Sequence, residues 1–200
     1  MTGRQLAAQA TRTKLLRAGK TIICQKGLEH TSVEEITEAA GVSKGTFYTY
    51  FRRKEDIVFE LSRGMFGEIL AEAKSFPGTF PEKLAHYMSE FSGYIQQGSV
   101  RLAQEWVKGA AFPADCREKT DRGKLAEDLR DMEELIRYGM KQGMLREDTP
   151  AGILAHTFVD LLYGQMLCWC MSDGSYSLKE RTEEFCAEYL EDLLKDYVCG

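Results

Sequence analysis

The chain has few of the residues that interrupt helices or build metal and redox sites. Its 200 residues include four prolines, three histidines and six cysteines. The cysteines, at positions 24, 116, 168, 170, 186 and 199, form no CxxC pair and no zinc-ligand spacing with the histidines. We therefore expect reduced thiols packed in helices, with no metal ion and no cofactor.

The sequence also lacks the motifs of common enzymes and exported proteins. No GxSxG, HExxH, GxGxxG or P-loop pattern occurs, which argues against an enzyme. Arg4, Arg12 and Lys14 interrupt the start of the chain before any apolar region long enough for a secretory signal. These features predict a cytoplasmic protein that is not an enzyme.

One apolar stretch, residues 151–171, is long enough to be a membrane-span candidate. It carries a single charge at Asp160, and an aspartate at a bilayer centre costs about 2.5–3.5 kcal/mol on insertion scales. We therefore expect this stretch to be a helix of a soluble protein, buried on most sides.

The composition predicts an all-α fold. Apolar residues make up 44% of the chain, helix-forming residues are abundant, and strand-like alternation is missing. We expect about nine helices in total: an N-terminal three-helix domain with a helix-turn-helix, residues 1–54, and a larger helical domain, residues 55–200. The pattern predicts one helix from about Lys54 to Phe76, another ended by Phe112 and Pro113, and a last helix over residues 177–198.

Charge is distributed unevenly along the chain, whose net charge is −5. Residues 1–54 carry ten Lys or Arg against four Glu, whereas residues 55–200 carry sixteen basic against twenty-seven acidic residues. A basic module attached to an acidic body is typical of a DNA-binding protein with a second function elsewhere.

The most informative segment is residues 31–54, TSVEEITEAAGVSKGTFYTYFRRK. Ser32 and Glu35 have the spacing of a capping box at the start of a short helix. Gly41 stands where the chain must turn with a positive φ, and Ser43 is placed to cap the next helix. In that second helix Phe47 and Phe51 point inward. The pattern predicts a helix-turn-helix whose second helix enters the DNA major groove.

From about Thr11 to Ile57 the chain resembles the DNA-binding domain of the tetracycline-repressor (TetR) family. The residues that carry the resemblance are in register: Leu15, Leu16, Ala18, Gly27, Thr31, Val33, Ile36, Ala39, Ala40, Gly41, Val42, Ser43, Gly45, Thr46, Phe47, Tyr48, Tyr50, Phe51, Lys54 and Glu55. The resemblance implies a transcriptional regulator, by the family's habit a repressor, and covers roughly a quarter of the chain.

Side chains near the N-terminus of the recognition helix are the candidates for DNA contacts. We expect Lys44, the Gly45 backbone, Tyr48 and Thr49 to face base edges, and the resemblance implies a phosphate contact as the alternative for Tyr48. A further group is expected to contact the DNA backbone or to cap the helix there: Ser32, Ser43, Thr46, Tyr50 and Lys54. Tyr50 could equally be core.

The last two helices, about 150–172 and 177–198, carry more apolar surface than a small domain can cover. As in TetR-family members, we expect them to form a four-helix bundle with a second subunit. The alternative is that both are buried inside a monomer. A two-fold dimer carrying two reading helices implies an inverted-repeat DNA operator.

The second domain is expected to bind a small-molecule effector that releases the DNA, as the resemblance implies. Aromatic residues are spread over its helices, and candidates for the pocket wall are Tyr87, Phe91, Tyr94, Trp106, Tyr138 and Phe158. Each of them taken singly fits a core position, and we expect part of the group to line a cavity. Glu90, Glu105 and Asp160 lie in apolar neighbourhoods, and if buried they would favour a cationic ligand. The alternative is a DNA-binding protein without an effector, acting architecturally or through a protein partner.

Overall fold

The computed structural model describes residues 3–61, 66–111 and 121–199, and these ranges are helical without strands. The α-helices are α1 (Gly3–Lys26), α2 (Val33–Ala40), α3 (Lys44–Tyr50), α4 (Glu55–Leu61), α5 (Phe66–Ser75), α6 (Phe80–Gln97), α7 (Val100–Ala111), α8 (Asp121–Lys141), α9 (Ala151–Met171), α10 (Leu178–Phe185) and α11 (Glu191–Leu194). One π-helical turn, Cys186–Leu190, connects α10 to α11. The all-α prediction is confirmed.

One predicted helix differs in detail from the observed one, and two other predictions fall partly on residues outside the described ranges. The helix expected to run to Phe76 is described as α4 and α5, and residues 62–65 between them lie outside the described residues. The expected stop at Phe112 and Pro113 also lies outside them. The last helix contains the π-helical turn, which the apolar pattern did not indicate.

The chain divides into two compact units. The first contains Met1–Gly64 together with Gly98–Pro113, and the second contains Met65–Gln97 together with Ala114–Gly200. The first unit therefore includes α4 and α7, both of which pack against α1. This unit extends beyond the domain of residues 1–54 that composition suggested. Helix α7 is distant in sequence, but its apolar side chains pack against the core of this unit.

The core of the first unit is a cluster contributed by α1 to α4 and the loops between them. Its fully or nearly fully buried members are Leu15, Ile23, Leu28, Ile36, Phe47, Phe51, Ile57 and Val58. Gly19 allows α1 to approach α4 closely, since a Cβ at this position would lie 2.7 Å from Ile57 Cδ1. The predicted inward positions of Phe47 and Phe51 are confirmed.

The second unit is built around α6, α8 and α9. Its core includes Leu84, Tyr87 and Met88 of α6 with Leu135 of α8 and Phe158 of α9. Helix α9 contributes nine buried residues to this unit. Among the described residues it is the one helix long and apolar enough to cross a membrane, and 44% of its most apolar stretch is buried inside the structure.

Candidate nucleic-acid interface and effector site

Helix α2 begins with the predicted capping box. The Ser32 hydroxyl oxygen accepts from the Glu35 amide at 3.2 Å, and the Glu35 carboxylate accepts from the Ser32 amide at 2.9 Å. An N-cap of this kind stabilises a helix by about 1 kcal/mol. The Lys26 ammonium also donates to Glu35, and this hydrogen bond with the two from Ser32 lowers the pKa of Glu35 to about 2.

The turn between α2 and α3 has the geometry of a helix-turn-helix. Gly41 has φ 68°, a left-handed conformation that glycine adopts without steric cost. Ser43 then caps α3 by accepting from the Thr46 amide at 3.1 Å. Because both caps depend on residues close in sequence, the pattern alone was sufficient to predict them.

The first turn of α3 is open to solvent on the side away from the core. Lys44, Gly45 and Thr49 are exposed, and Tyr48 has 51% of its surface exposed. A Cβ on Gly45 would meet only the Ser43 hydroxyl, at 3.7 Å, so this position leaves room for another molecule. Tyr50 is half-buried and packs against the core of the first unit.

Lys44 does not extend freely from the recognition helix. Its ammonium forms an ion pair with the Glu34 carboxylate of α2. This hydrogen bond lowers the pKa of Glu34 and raises the pKa of Lys44. A carboxylate therefore stands beside the cation that was predicted to face base edges.

Lys54 is the one predicted contact residue whose ammonium is held by the backbone. It donates to the carbonyl oxygens of Leu28 at 2.7 Å and of Thr31 at 2.8 Å, with a longer contact to that of Glu29 at 3.4 Å. These carbonyls belong to the loop between α1 and α2. Lys54, after the end of α3, thus hydrogen-bonds to the loop between α1 and α2.

The aromatic residues predicted for the effector pocket do not all lie together. Tyr87, Phe91 and Phe158 are buried in the core of the second unit, and Tyr94 packs against it. Tyr138 lines a cleft of about 370 Å³ with Lys74, Arg130 and Lys141, among others. Trp106 belongs to the first unit, where it packs against the core formed by α1 to α4, because α7 lies in that unit.

The carboxylates considered as polar anchors are not buried. Asp160 is exposed, Glu105 is half-buried, and Glu90 is half-exposed and paired with Lys179 at 2.8 Å. A buried carboxylate does exist at Asp128, which sequence reasoning missed because α8 is rich in charged residues. The i,i+4 spacing of Lys124 and Asp128 is that of an ion pair on a helix, but it gives no signal of burial.

The last helices carry large apolar side chains on their outer surface. On α9, Ile153 is 70% exposed, Met171 is 79% exposed and Leu167 is also exposed. Tyr189 in the π-helical turn and Leu193 in α11 are exposed as well. A contiguous exposed apolar patch marks a protein–protein contact, and these residues are the candidates for one on the last helices.

Sequence comparisons connect this geometry to known proteins. Residues 15–61 match the model of the family described as bacterial regulatory proteins, tetR family. The chain is similar to the HTH-type transcriptional regulator AcrR of Shigella flexneri, with 27% identity over 195 residues, covering 92% of this chain and 89% of that one. It is also similar to the fatty acid metabolism regulator protein of Bacillus subtilis, with 24% identity covering 82% and 86% of the two chains.

Solved structures share the fold. The transcriptional regulator FadR of Bacillus subtilis, in complex with stearoyl-CoA, has a TM-score of 0.68 and 21% identity, covering 88% of this chain and 98% of its own. Thermus thermophilus FadR, in complex with lauroyl-CoA, has a TM-score of 0.69 and 22% identity, covering 90% and 92%.

Proposed function

We propose that this transcriptional regulator of the TetR family represses a gene by binding an inverted-repeat operator as a homodimer, and that a small molecule releases it. The observation that carries the proposal is the open first turn of α3, which Ser43 caps and whose Phe47 is buried in the core of the first unit. Operator reading, dimerisation and ligand control each have separate support in the chain.

Operator reading is assigned to α3. In this proposal the Lys44 ammonium exchanges its ion pair with Glu34 for guanine O6 or N7, and Thr49 bonds a base edge or touches a thymine methyl. Tyr48 presents an exposed ring and hydroxyl beside them. Ser32, Thr46 and Tyr50 are assigned to the DNA backbone, where contacts fix register without reading sequence. Ser43 and Gly45 set the start of the helix.

The role of Lys54 is best explained by its carbonyl contacts. A single ammonium has three donors, and the loop before α2 already accepts from this one. Lys54 therefore supports DNA binding chiefly by holding the helix-turn-helix in place. A phosphate contact by the same ammonium would have to replace one of these hydrogen bonds.

Dimerisation is assigned to α9 together with α10 and α11. Ile153 is exposed near the start of α9, and Leu167 and Met171 are exposed near its end. In a two-fold interface each of these residues occurs once in each subunit. The apolar area that each contributes is therefore counted twice. Two reading helices related by this axis require half-sites about one helical turn apart or somewhat more.

Ligand control is assigned to the second unit. Two relatives with the same fold were solved with acyl-CoA ligands, stearoyl-CoA and lauroyl-CoA. A ligand can release DNA only if it prefers the conformation that does not fit the operator, and couplings of about 1–3 kcal/mol are typical.

The test combines binding and release. The purified protein is titrated onto its own upstream DNA, and protection of a palindromic site at nanomolar concentration is the expected result. A thermal-shift screen of small molecules, with stearoyl-CoA included, is then repeated as a DNA-release assay. A compound that raises Tm and also releases the DNA supports ligand control. DNA binding that no stabilising compound reverses would favour an effector-free protein.

A further inference from the structure

The surface of the second unit has a basic cleft between α5 and α8. Its volume is about 370 Å³, within the range of small-molecule sites. Six of its seven lining residues are charged: Lys74, Arg130, Glu133, Glu134, Arg137, Tyr138 and Lys141. Four are cations and two are carboxylates, so positive charge is in excess by two. Residues 55–200 as a whole carry sixteen basic against twenty-seven acidic residues, so the cleft is opposite in sign to the body that contains it.

The cations of α8 lie on one side of the helix. Arg130, Arg137 and Lys141 stand at positions i, i+7 and i+11, a spacing that places three side chains on the same face. All three are exposed. Lys74, at the end of α5, reaches this face from the opposite side, where its ammonium pairs with Glu134. Cations from two helices therefore border one concavity.

Tyr138 holds Lys74 in position. The Tyr138 hydroxyl donates to the Lys74 carbonyl oxygen at 3.2 Å, and the Lys74 ammonium lies 5.9 Å from the centre of the Tyr138 ring. The Lys74 side chain is only 25% exposed. A cation that is ordered before a ligand arrives loses less conformational entropy on binding.

The carboxylates of the cleft neutralise only two of its cations. Besides the pair made by Lys74, the Arg137 guanidinium donates to Glu133 from Nε at 2.9 Å and again from a terminal nitrogen. Within the ranges that the structure describes, Arg130 and Lys141 have no ion-pair partner. Exposed ion pairs contribute little to stability, so packing does not account for four cations around one concavity.

We propose that this cleft binds a small molecule carrying two or more phosphate groups. Arginine binds phosphate through parallel hydrogen bonds, and lysine binds it as a point charge. Arg130 and Lys141 are eleven residues apart, about 16 Å along the helix axis, so a single phosphate does not contact both. A chain of phosphates along α8 contacts Arg137 in the middle and approaches the cations at either end. The site is separate from the aromatic core of the second unit, and the inference does not rest on the proposed function.

Inorganic tripolyphosphate and orthophosphate test the class of ligand. Each is titrated into the full chain at about 0.15 M ionic strength, where exposed charges are screened beyond about 8 Å, and binding is followed by calorimetry. We expect a micromolar Kd for tripolyphosphate and an affinity at least tenfold higher than that of orthophosphate. Equal affinity for the two anions, or a tripolyphosphate Kd above millimolar, would overturn the proposal.

Charge variants locate the site. Arg137→Gln/Lys141→Gln removes two exposed cations and should weaken tripolyphosphate binding at least tenfold. Glu133→Gln removes the carboxylate that competes for Arg137 and should strengthen binding about threefold. Lys195→Gln, at an exposed cation of the same unit outside the cleft, is the matched control and should leave the affinity unchanged. Equal affinity in the double variant and in this control would refute the assignment.

The basic first unit is the alternative site for a polyanion. Lys14→Gln, at an exposed position on α1, removes a cation there and should leave tripolyphosphate affinity unchanged. A loss of affinity in this variant, but not in Arg137→Gln/Lys141→Gln, would assign the anion to the DNA-binding unit and contradict the inference.

The outcome is also separable from the proposed regulation. An Arg137→Gln/Lys141→Gln chain that still binds its operator but no longer binds tripolyphosphate would support a site distinct from DNA reading. Loss of operator binding and of tripolyphosphate binding together in this variant would contradict it.

Discussion

The Lys54 ammonium donates to the Leu28 carbonyl oxygen at 2.7 Å, which links two residues 26 positions apart. The same ammonium donates to Thr31, immediately before the Ser32 cap. Its contacts therefore fix the loop from which α2 begins. A hydrogen bond that involves a charged group stabilises a protein by about 1.5–3 kcal/mol.

We predict that Lys54→Met destabilises the first unit and weakens DNA binding to all sequences. The physical reason is that the loop carbonyls lose their charged donor, so the position of α2 and α3 is less well defined. Thermal unfolding should show a lower Tm, and DNA affinity should fall equally on operator and random DNA. Lys14→Met, at an exposed position on α1, is the control for loss of one charge. An unchanged Tm with a reduced salt dependence of DNA binding would instead indicate a phosphate contact.

A second prediction concerns Glu34 and its ion pair with Lys44. Glu34→Gln removes a carboxylate that competes with DNA for this ammonium. We expect stronger binding to random DNA and a smaller ratio of operator to random affinity, because released Lys44 can pair with any phosphate. Fluorescence anisotropy at two salt concentrations measures the affinity for random DNA and the ratio of operator to random affinity.

Lys44→Ala should have a different effect, changing the order of preference among operator variants. Each specific pair to a base is worth about 1–3 kcal/mol of discrimination. If Glu34→Gln and Lys44→Ala altered operator and random binding by the same factor, neither residue would contribute to sequence reading.

Local features of this chain could be predicted from the sequence, whereas features that depend on distant residues could not. The caps at Ser32 and Ser43 and the positive φ of Gly41 depend on neighbours within four residues, and all three are observed. The carbonyl partners of Lys54 lie in another loop, and the placement of Trp106 depends on which helix α7 covers. Neither is encoded in a short pattern.

The effector region shows the same division. The aromatic core positions Tyr87 and Phe158 follow from helical periodicity. The burial of Asp128 does not, because the sequence of α8 is that of a charged surface helix, whereas in the structure Lys124 and Tyr163 contact the two carboxylate oxygens. The candidate carboxylate Asp160 lies in the most apolar helix and is nevertheless exposed, since its side faces outward from the described core.

A third prediction follows from the low pKa of Glu35. Its folded-state pKa of about 2 lies below the ordinary value of 4.5 for a glutamate, so the ionised carboxylate stabilises the fold above pH 4.5. That contribution is lost as pH falls from about 4.5 through about 2. Glu35→Gln should therefore lower Tm at pH 7, and the difference from the wild-type chain should shrink across this window. Glu38→Gln, exposed on the same helix, is the control. A Tm difference independent of pH would contradict the charge-based account.

The fourth prediction tests the dimer through the exposed face of α9. Burying an Ile or Leu side chain contributes about 1.5–3 kcal/mol, and two-fold symmetry places each residue in the interface twice. The double substitution Ile153→Glu/Leu167→Glu should therefore shift a dimer to monomer at micromolar concentration, as measured by light scattering on a 22.7 kDa chain. Leu125→Glu, at an exposed position on α8, should leave the dimer mass unchanged.

Operator affinity should fall in the double variant, because one reading helix alone cannot bind two half-sites. The circular dichroism of the helices should stay the same. A wild-type chain that is already monomeric at this concentration would contradict the dimer, and a double variant that remains dimeric would place the interface on another face.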